Sequence, residues 1–442
     1  MKKGRPYFTL LFLLLITLSI PGTASSLTLE EAISAALEKN PSVLRAESEV
    51  TSEKFRLEAS RGKFFPSLDL TYTFSREEED IFFTSPESSS FTAEASLNLF
   101  RGFEDLHTLR GRKYSLQSAR SSREEEASRV RFRVIEAFLS ALREKQEVEV
   151  AEEAVKLLER QRKDAENLLK NGLVPKNDLL KVEVELATAR QELLARRASL
   201  ANSLKRLSLE TGLSVENAEI LVPPKISFPR DLDGSCLEKE AVAGKNLLKS
   251  IEARILSLKE EGEALRGGFF PSVDLSLSYT TYGDSAFPDG RGDSILPDRQ
   301  LTESLTVTWN IFSGGSTRNE LKAKLAEAKA LEHRLDEEIN FLAAQLTEAL
   351  NAYRVALSSV ALAEKSLIQA RENHRMTENQ YRQGLATATE LLDARFLLTR
   401  AEKEKITASY DAALSLARLE FLVGSPDAVR ACGGGQEPPT SR

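Results

Sequence analysis

The chain has 442 residues and carries 60 Lys and Arg against 67 Asp and Glu, a net charge of −7. An acidic chain without a basic block argues against nucleic acid as a partner. It has two cysteines and three histidines, and no two histidines lie four residues apart, so the sequence predicts no disulfide framework, metal site, cofactor or enzyme active site.

The segment 1–24 is predicted to be a secretory signal peptide. Three basic residues begin it, the run 8–20 is mostly apolar, and Ala24 supplies a small residue for cleavage. A transmembrane anchor is the alternative, although a membrane span needs about 20 apolar residues. The mature chain is therefore expected to be exported.

The rest of the sequence contains one duplicated unit. RGKFFPSLDL at 61–70 is echoed by RGGFFPSVDL 205 residues later, and LNLFRG at 97–102 is echoed by WNIFSG 212 residues later. NGLVPKNDLL at 171–180 is echoed by QGLATATELL, again 212 residues later. So long a period indicates two copies of one architecture rather than a solenoid of short repeats.

Each repeat is predicted to open with one helix and to continue with two strands. Thr28 and Glu31 fit a capping box, as do Ser235 and Glu238. Each helix is expected to end shortly before a proline, which cannot continue it. Apolar and polar residues then alternate over about ten positions, the length that a tilted strand needs to cross a bilayer. The strands are expected at about 66–76, 91–100, 271–282 and 303–312.

Phenylalanines flank these predicted strands. In antiparallel pairs their positions fall at the same end of the strands, which is typical of an aromatic girdle at one membrane interface. Packing in a protein core is the alternative use of the same side chains. The girdle candidates are Phe64, Phe65, Phe100, Phe269, Phe270 and Phe312.

Two very long helices are predicted to follow the strand pairs, at about 103–170 and 316–383. The first contains one glycine and no proline, and the second contains neither residue type. A helix of this length is a rod of about 100 Å, which must lie against other long helices to be stable. Return helices about half as long are expected at 178–211 and 387–423.

The chain is thus expected to divide into a first repeat at 25–212, an equatorial linker at 213–235 and a second repeat at 236–424. The tail 425–442 is rich in Gly and Pro and is predicted to be disordered. Because Cys432 lies in this tail, two unpaired cysteines are favoured, and a bridge to Cys236 is the alternative.

The order of helix, strand pair, long helix, Gly-Leu turn and short return helix, present twice within 27–424, resembles the TolC-type outer-membrane efflux proteins. The resemblance implies a mainly α fold with membrane β structure. It implies a homotrimer whose 12-stranded β-barrel lies in outer-membrane lipid and continues into a long periplasmic α-helical barrel. Four strands per chain do not close a barrel by themselves, which agrees with assembly from several chains.

The resemblance also implies a function and partners. The expected function is a passive outer-membrane channel of a tripartite efflux or type I secretion system in a Gram-negative-type bacterium. The expected partners are a periplasmic adaptor and an inner-membrane pump of the RND, ABC or MFS type. The alternative from another class is a periplasmic coiled-coil scaffold with soluble hairpins, and membrane fractionation distinguishes the two.

Acidic residues after the helical turns are candidates for a pore constriction. Glu390 and Asp393 lie three apart and hence on one helix face. The resemblance implies that they and Asp178 form acidic rings at the periplasmic entrance, and that Tyr381 is a gate residue linked to Asp178. Ala386 stands where the family has a gate arginine, so the ion-pair half of this latch is expected to be absent. The alternative is that all four are polar residues of helix surfaces.

The two Gly-Leu turns resemble the tips that adaptor hairpins grip in this family. Glycine permits the left-handed conformation that ends a helix. The leucine after it would be an apolar side chain at a solvated tip, which indicates a partner, whereas a self-packed turn is the alternative. The docking candidates are Gly172, Leu173, Val174, Gly384 and Leu385.

Overall fold

The structure, a computed structural model, describes residues 26–76, 87–172, 174–290 and 298–433. The predicted signal peptide lies outside the described residues, and so does Leu173. In chain order the elements are α1 (Leu29–Lys39), α2 (Pro41–Gly62), β1 (Ser67–Arg76), β2 (Glu87–Arg101), α3 (Glu104–Lys170), α4 (Lys176–Thr211), α5 (Gly234–Gly244), α6 (Asn246–Arg266), β3 (Ser272–Gly283), β4 (Arg299–Thr308), α7 (Ser316–Arg382), α8 (Ala388–Val423) and α9 (Pro426–Ala431).

Each repeat opens with two helices, so the prediction of one helix is wrong. Asn40 follows α1 and caps α2, its side chain accepting the Ser42 N–H at 3.0 Å, and Pro41 takes the first position of α2, where a missing N–H is harmless. The second repeat breaks at Lys245, whose buried ammonium pairs with Glu125 at 2.9 Å. The Asn-Pro pair thus begins a second helix directly after the first one ends.

Of the two predicted capping boxes, one is present. The Glu31 N–H donates to the Thr28 hydroxyl, and the Glu31 carboxylate accepts the Thr28 N–H at 2.8 Å. The Ser235–Glu238 box is wrong, because Asp233 caps α5 instead. The Asp233 carboxylate accepts hydrogen bonds from the Ser235 N–H at 3.0 Å and from the Ser235 hydroxyl. Ser235 therefore lies in the first turn of α5 and is not its cap.

The two long helices, α3 and α7, are the frame of the molecule. Each has 67 residues, which corresponds to about 100 Å. In the first repeat α2 packs on the first half of α3 and α4 on the second half, and α6 and α8 flank α7 in the same way. Contacts of α3 with α6 and α8 join the repeats. Within the described ranges, none of the helices combines the length and the apolarity of a membrane span.

Two apolar cores lie near the middle of the rods. One is centred on Phe138 of α3 and Leu207 of α4, both fully buried. The other is centred on Tyr353 of α7 and Leu419 of α8. The Tyr353 hydroxyl donates to the carbonyl of Pro229 at 2.9 Å, so the linker between the repeats is held against the second core.

The C-terminal segment is ordered up to residue 433, which corrects two predictions. Helix α9 buries Val429 in the second core, and Cys432 forms a disulfide with Cys236. The disordered-tail and unpaired-cysteine predictions are therefore wrong for this part, because the glycine-rich run begins only at Gly433 and apolar residues precede it. Residues 434–442 lie outside the described part of the chain.

The four strands form one antiparallel sheet in the order β1-β2-β3-β4. Residues that face each other across neighbouring strands form a row, and all side chains of one row lie on the same face of the sheet. Adjacent rows alternate between apolar and polar side chains, as in Leu70, Ala93, Tyr279 and Leu301 followed by Thr71, Thr92, Thr280 and Gln300. One face of the sheet is therefore apolar and the other polar.

The observed strands differ from the expected ones mainly at β4. This strand covers Arg299–Thr308, whereas 303–312 is expected from the sequence, and β2 begins at Glu87 rather than at 91. The end of β2, from 97 to 101, is strand because β3 lies beside it. The equivalent end of β4, from 309 to 313, has no strand of the described residues on that side and is irregular.

Candidate functional site

The two helical turns lie at the ends of the rods that are farthest from the sheet. Gly172 and Gly384 have φ angles of 69° and 71°, in the left-handed region that favours glycine. No heavy atom lies within 4 Å of a Cβ built on either residue, so the backbone conformation, rather than crowding, requires glycine. The Leu385 N–H closes its turn by donating to the Gln380 carbonyl at 2.9 Å.

The turns carry apolar side chains into solvent. Leu385 is 75% exposed, and Val174 in the other turn is half-buried. Leu173, the first-repeat counterpart of Leu385, lies outside the described residues. An exposed leucine at the end of a long rod is thus an observed feature of the second turn, and its role in docking remains a prediction.

Glu390 belongs to a capping box that the sequence analysis overlooked. Its carboxylate accepts the Thr387 N–H at 2.7 Å and the Thr387 hydroxyl at 3.0 Å, while its own N–H donates to that hydroxyl. The Thr387 N–H, followed by the hydroxyl, lowers the pKa of Glu390. The signal was present, since Thr387 and Glu390 have the T-x-x-E spacing. Glu390 therefore caps α8 and carries a negative charge at the tip.

The remaining gate candidates lie around this cap. Asp393 is exposed one turn further along α8. Tyr381 is half-buried at the end of α7, and its pKa is raised first by burial and then by the charges of Asp178 and Asp164. Within the described residues the Tyr381 hydroxyl makes no hydrogen bond to Asp178. The structure thus brings these two gate candidates near each other without a direct latch between them.

Lys181 joins the two turns and was missed from the sequence. Its ammonium lies 4.0 Å from the Asp178 carboxylate and donates to the hydroxyl of Thr389 at 3.1 Å. It therefore connects the beginning of α4 with the first turn of α8. The Asp-Lys spacing of three is visible in the sequence, but the contact between helices of different repeats is not.

Above the turns, the seam between the two helix pairs holds two buried basic side chains, Arg395 and His374. Arg395 of α8 is 6% exposed and donates to the carbonyl of Ala154 on α3, and burial lowers its pKa to about 10. His374 of α7 is 8% exposed, and its Nε2 has no hydrogen-bond partner in the described residues. Burial lowers the pKa of His374, which lies near Glu378, Arg395 and Glu402.

A groove of about 880 Å³ runs along this seam between α3, α4, α7 and α8. Arg395 and the exposed Phe396 line it. Lys403 of α8 pairs across it with Glu192 of α4 at 2.9 Å. The two helix pairs are therefore joined near the tips by polar contacts and by Leu392 of α8, which packs against the buried apolar cluster of Val155, Leu158, Val182 and Leu186 on α3 and α4.

The predicted girdle residues cluster where strands meet helices. Phe64 and Phe65 precede β1, and Phe269 and Phe270 precede β3, all of them 47% exposed or more. Phe100 near the end of β2 packs edge-to-face on Phe103 at 5.2 Å, and Phe312 follows β4 and is 85% exposed. The girdle remains a prediction that this common position supports.

The family model for outer membrane efflux proteins matches residues 32–213 and 237–425, one stretch in each repeat. The chain belongs to the outer membrane efflux protein family. This membership confirms the resemblance inferred from the order of elements, and with it the outer-membrane location and the periplasmic helical part.

The chain is similar over most of its length to characterised relatives. It is 21% identical to outer membrane protein TolC of Vibrio cholerae over 91% of this chain and 93% of that protein. It is also 21% identical to protein CyaE of Bordetella pertussis over 93% of this chain and 86% of that protein.

Solved outer-membrane channels share the fold. The outer membrane protein VceC of Vibrio cholerae has a TM-score of 0.76 at 16% identity, over 90% of this chain and 96% of that one. The CmeC channel of Campylobacter jejuni has a TM-score of 0.77 at 13% identity, over 90% of this chain and 86% of that one. These similarities confirm the predicted fold class of a duplicated, mainly helical chain with a small antiparallel sheet. The chain is thus an outer-membrane duct for export.

Proposed function

We propose that the chain acts as a homotrimer, a passive channel with no reaction of its own. The observation that carries this proposal is the sheet, which has an apolar face and two free edges, β1 and β4. Lipid offers no hydrogen-bond partner to a free strand edge, so the edges must be paired by other copies. Pairing β4 of one copy with β1 of the next is a head-to-tail contact, which generates a closed ring when the rotation between copies closes. Three copies supply the 12 strands that the family resemblance implies.

The helices support the same ring. Val355, Leu362 and Ile368 of α7 are each 66–69% exposed, and Val184 and Leu194 of α4 are 64% and 68% exposed. Apolar side chains in such numbers on one element indicate a covered surface. In a ring, α7 of one copy would lie beside α2 and α4 of the next and would cover these side chains.

The turns would then form the periplasmic entrance. Repeated three times, Glu390 and Asp393 supply rings of carboxylates that attract cations and bind divalent ions. The Lys181–Thr389 hydrogen bond holds the α7–α8 turn to α4, and Tyr381 lies near Asp178 beside it. Opening the entrance requires that these contacts separate, together with the Lys403–Glu192 pair above them.

Partners would supply the energy and the cargo. Gly172, Val174, Gly384 and Leu385, together with Leu173, form the surface that an α-helical hairpin of a periplasmic adaptor would grip. An inner-membrane pump of the RND, ABC or MFS type would feed the channel, as the tripartite and type I secretion systems of the family resemblance imply. The exposed apolar Leu385 supports this proposal, because a rod tip has no structural need for it.

Membrane fractionation and native mass measurement test the proposal. The protein is expected in the outer membrane and, after extraction in detergent, at three times the chain mass. A monomer recovered in the soluble periplasmic fraction would instead favour a coiled-coil scaffold with soluble hairpins.

A further inference from the structure

The two hairpins have the same register, which makes the repeat a guide to contacts between copies. Ser67 faces Ser96 in the first hairpin. Their equivalents, 205 and 212 residues later, are Ser272 and Thr308, and these face each other in the second hairpin. Residues of β1 and β2 therefore correspond one to one with residues of β3 and β4.

Only one of the two contacts between hairpins lies within the chain. Strand β2 pairs with β3, and Ser96 faces Ser276 there. Strand β4 is the equivalent of β2, so the corresponding contact would pair β4 with the equivalent of β3. Within the chain that strand is β1, which lies at the opposite edge of the sheet, so a second copy must provide it.

We propose that β4 pairs with β1 of the neighbouring copy in the register that β2 and β3 show, so that two polar pairs set the alignment. This inference rests on the ring assembly proposed above and adds its register. At the helical end of the sheet, Asn98 donates to the Asp274 carboxylate at 2.6 Å. Their equivalents are Asn310 and Asp69, so Asn310 donates to Asp69 of the neighbouring copy.

The second pair lies at the loop end of the sheet. Phe91 faces Thr281, and their equivalents are Glu303 and Arg76. Glu303 is a carboxylate on the otherwise apolar face of β4, between Leu301 and Leu305. Arg76 already pairs with Glu87 of its own chain at 3.4 Å. In the ring, Arg76 would lie between Glu87 of its own chain and Glu303 of the neighbouring copy, which accounts for these three charges on the otherwise apolar face of the sheet.

The same register accounts for the irregular end of β4. Residues 97–101 of β2 are strand only through β3, and the equivalent residues 309–313 are irregular. Trp309 and Ile311 there are 60% and 82% exposed. Pairing with residues 67–70 of the neighbouring copy extends β4 over this stretch and gives it a neighbouring strand.

Cysteine crosslinking in native outer membranes tests the register. Thr92 and Thr280 have hydroxyls 3.0 Å apart, and their equivalents are Ser304 and Ser75. In the full-length chain with its own disulfide intact, Ser75→Cys/Ser304→Cys is expected to give dimers and trimers on a non-reducing gel. The matched control Thr73→Cys/Ser304→Cys keeps the same face but lies two residues out of register, and it is expected to give at least about tenfold less.

The outcomes separate the register from the ring. Stronger crosslinking of the control, or none in either variant while native mass still shows a trimer, would overturn the register alone. A monomeric native mass for the unmodified chain would overturn the ring as well.

A charge exchange adds a second readout. Glu303→Arg should lower the temperature at which the trimer dissociates in SDS, and adding Arg76→Glu should restore part of the lost dissociation temperature. Absence of that restoration would contradict the ion pair.

Discussion

At the scale of the residue, Glu390 combines two tasks that mutagenesis can separate. Its carboxylate caps α8 through Thr387 and also carries charge at the proposed entrance. Glutamine keeps the capping geometry without the charge. We therefore expect Glu390→Gln/Asp393→Asn to lower cation selectivity and divalent block in planar bilayers, with a small loss of thermal stability because the charged cap is also lost.

Thr387→Ala is the matched control for this prediction. It removes the cap and keeps both carboxylates, so it should cost about 0.5–2 kcal/mol of stability and leave the selectivity as it is. If the selectivity of the double variant equals that of the unmodified channel, the two carboxylates are surface residues.

His374 should make the seam between the helix pairs sensitive to acid. Burial lowers its pKa below the ordinary 6.5, so the folded state binds the proton less tightly than the unfolded state. The associated stability is complete above pH 6.5 and is lost as the pH falls toward the folded pKa, by up to about 1.4 kcal/mol per pH unit. The groups facing it are Glu378 on its own helix and Arg395 and Glu402 on α8.

The measurement is thermal unfolding between pH 8 and pH 5, with His374→Gln as the comparison. The unmodified protein should lose stability relative to the variant on the acid side. Parallel profiles would mean that the imidazole takes up its proton without strain. His107 and His333 are present in both proteins, so their contributions to the difference between the two profiles cancel.

The sequence predicted the acidic and apolar residues of the tips but not the contacts that hold them. Glu390 and Asp393 follow from spacing along one helix. Lys181 and Arg395 act across helices of different repeats, and a single sequence does not state which helix faces which. The Thr387 cap was visible and was overlooked.

At the scale of the element, the passage from strand to helix depends on one close glycine contact. Gly102 has a φ of 56°, and a Cβ built on it would lie 2.4 Å from the Gly267 carbonyl oxygen. The ends of β2 and α6 therefore touch backbone to backbone. Gly102→Ala should destabilise the chain by more than the roughly 1–2 kcal/mol of the left-handed conformation alone.

Thermal unfolding in detergent measures this effect, and Gly62→Ala is the matched control. Gly62 ends α2, has no atom within 4 Å of a built Cβ and has no positive φ. Its substitution should be neutral. Equal melting temperatures for both variants would show that the junction yields easily.

The disulfide ties the last described residues to the start of the second repeat. Cys236 and Cys432 close a loop of 196 residues, so replacing both by serine should lower stability by about 2–5 kcal/mol. A reductant should lower the melting temperature of the unmodified protein and leave that of the Ser variant unchanged. A reductant effect of equal size on both proteins would place its origin elsewhere.

Sequence patterns predicted the long elements well and the interruptions poorly. Helical periodicity over 67 residues outweighs local exceptions, which is why α3 and α7 begin and end near the expected positions. The break at Lys245 depends on a buried ion pair with Glu125, and in the proposed ring the end of β4 depends on a strand of the neighbouring copy. Neither dependence is written in the local sequence.

At the scale of the whole molecule, the tips are predicted to be the docking surface. Leu385→Asp should abolish crosslinking to the adaptor and export in cells, because a buried leucine contributes roughly 1.5–3 kcal/mol and a carboxylate would not enter the same apolar site. The trimer should still form in the outer membrane, since the sheet and rods are unchanged.

Leu209→Asp is the control for an exposed leucine elsewhere. Leu209 is 74% exposed and Leu385 is 75% exposed, but Leu209 lies near the end of α4 that is far from the tips. It should leave adaptor crosslinking intact. Normal export by the Leu385 variant would move the adaptor to another surface.

The equal lengths of the rods restrict how this protein can evolve. Both long helices have 67 residues and both return helices have 36, so the two kinds of tip end at the same height. Inserting one residue into one rod would raise its tip by about 1.5 Å and turn it by about 100°, away from its neighbours. Tolerated insertions should therefore come as whole heptads, in the outgoing and returning helices of both repeats at once.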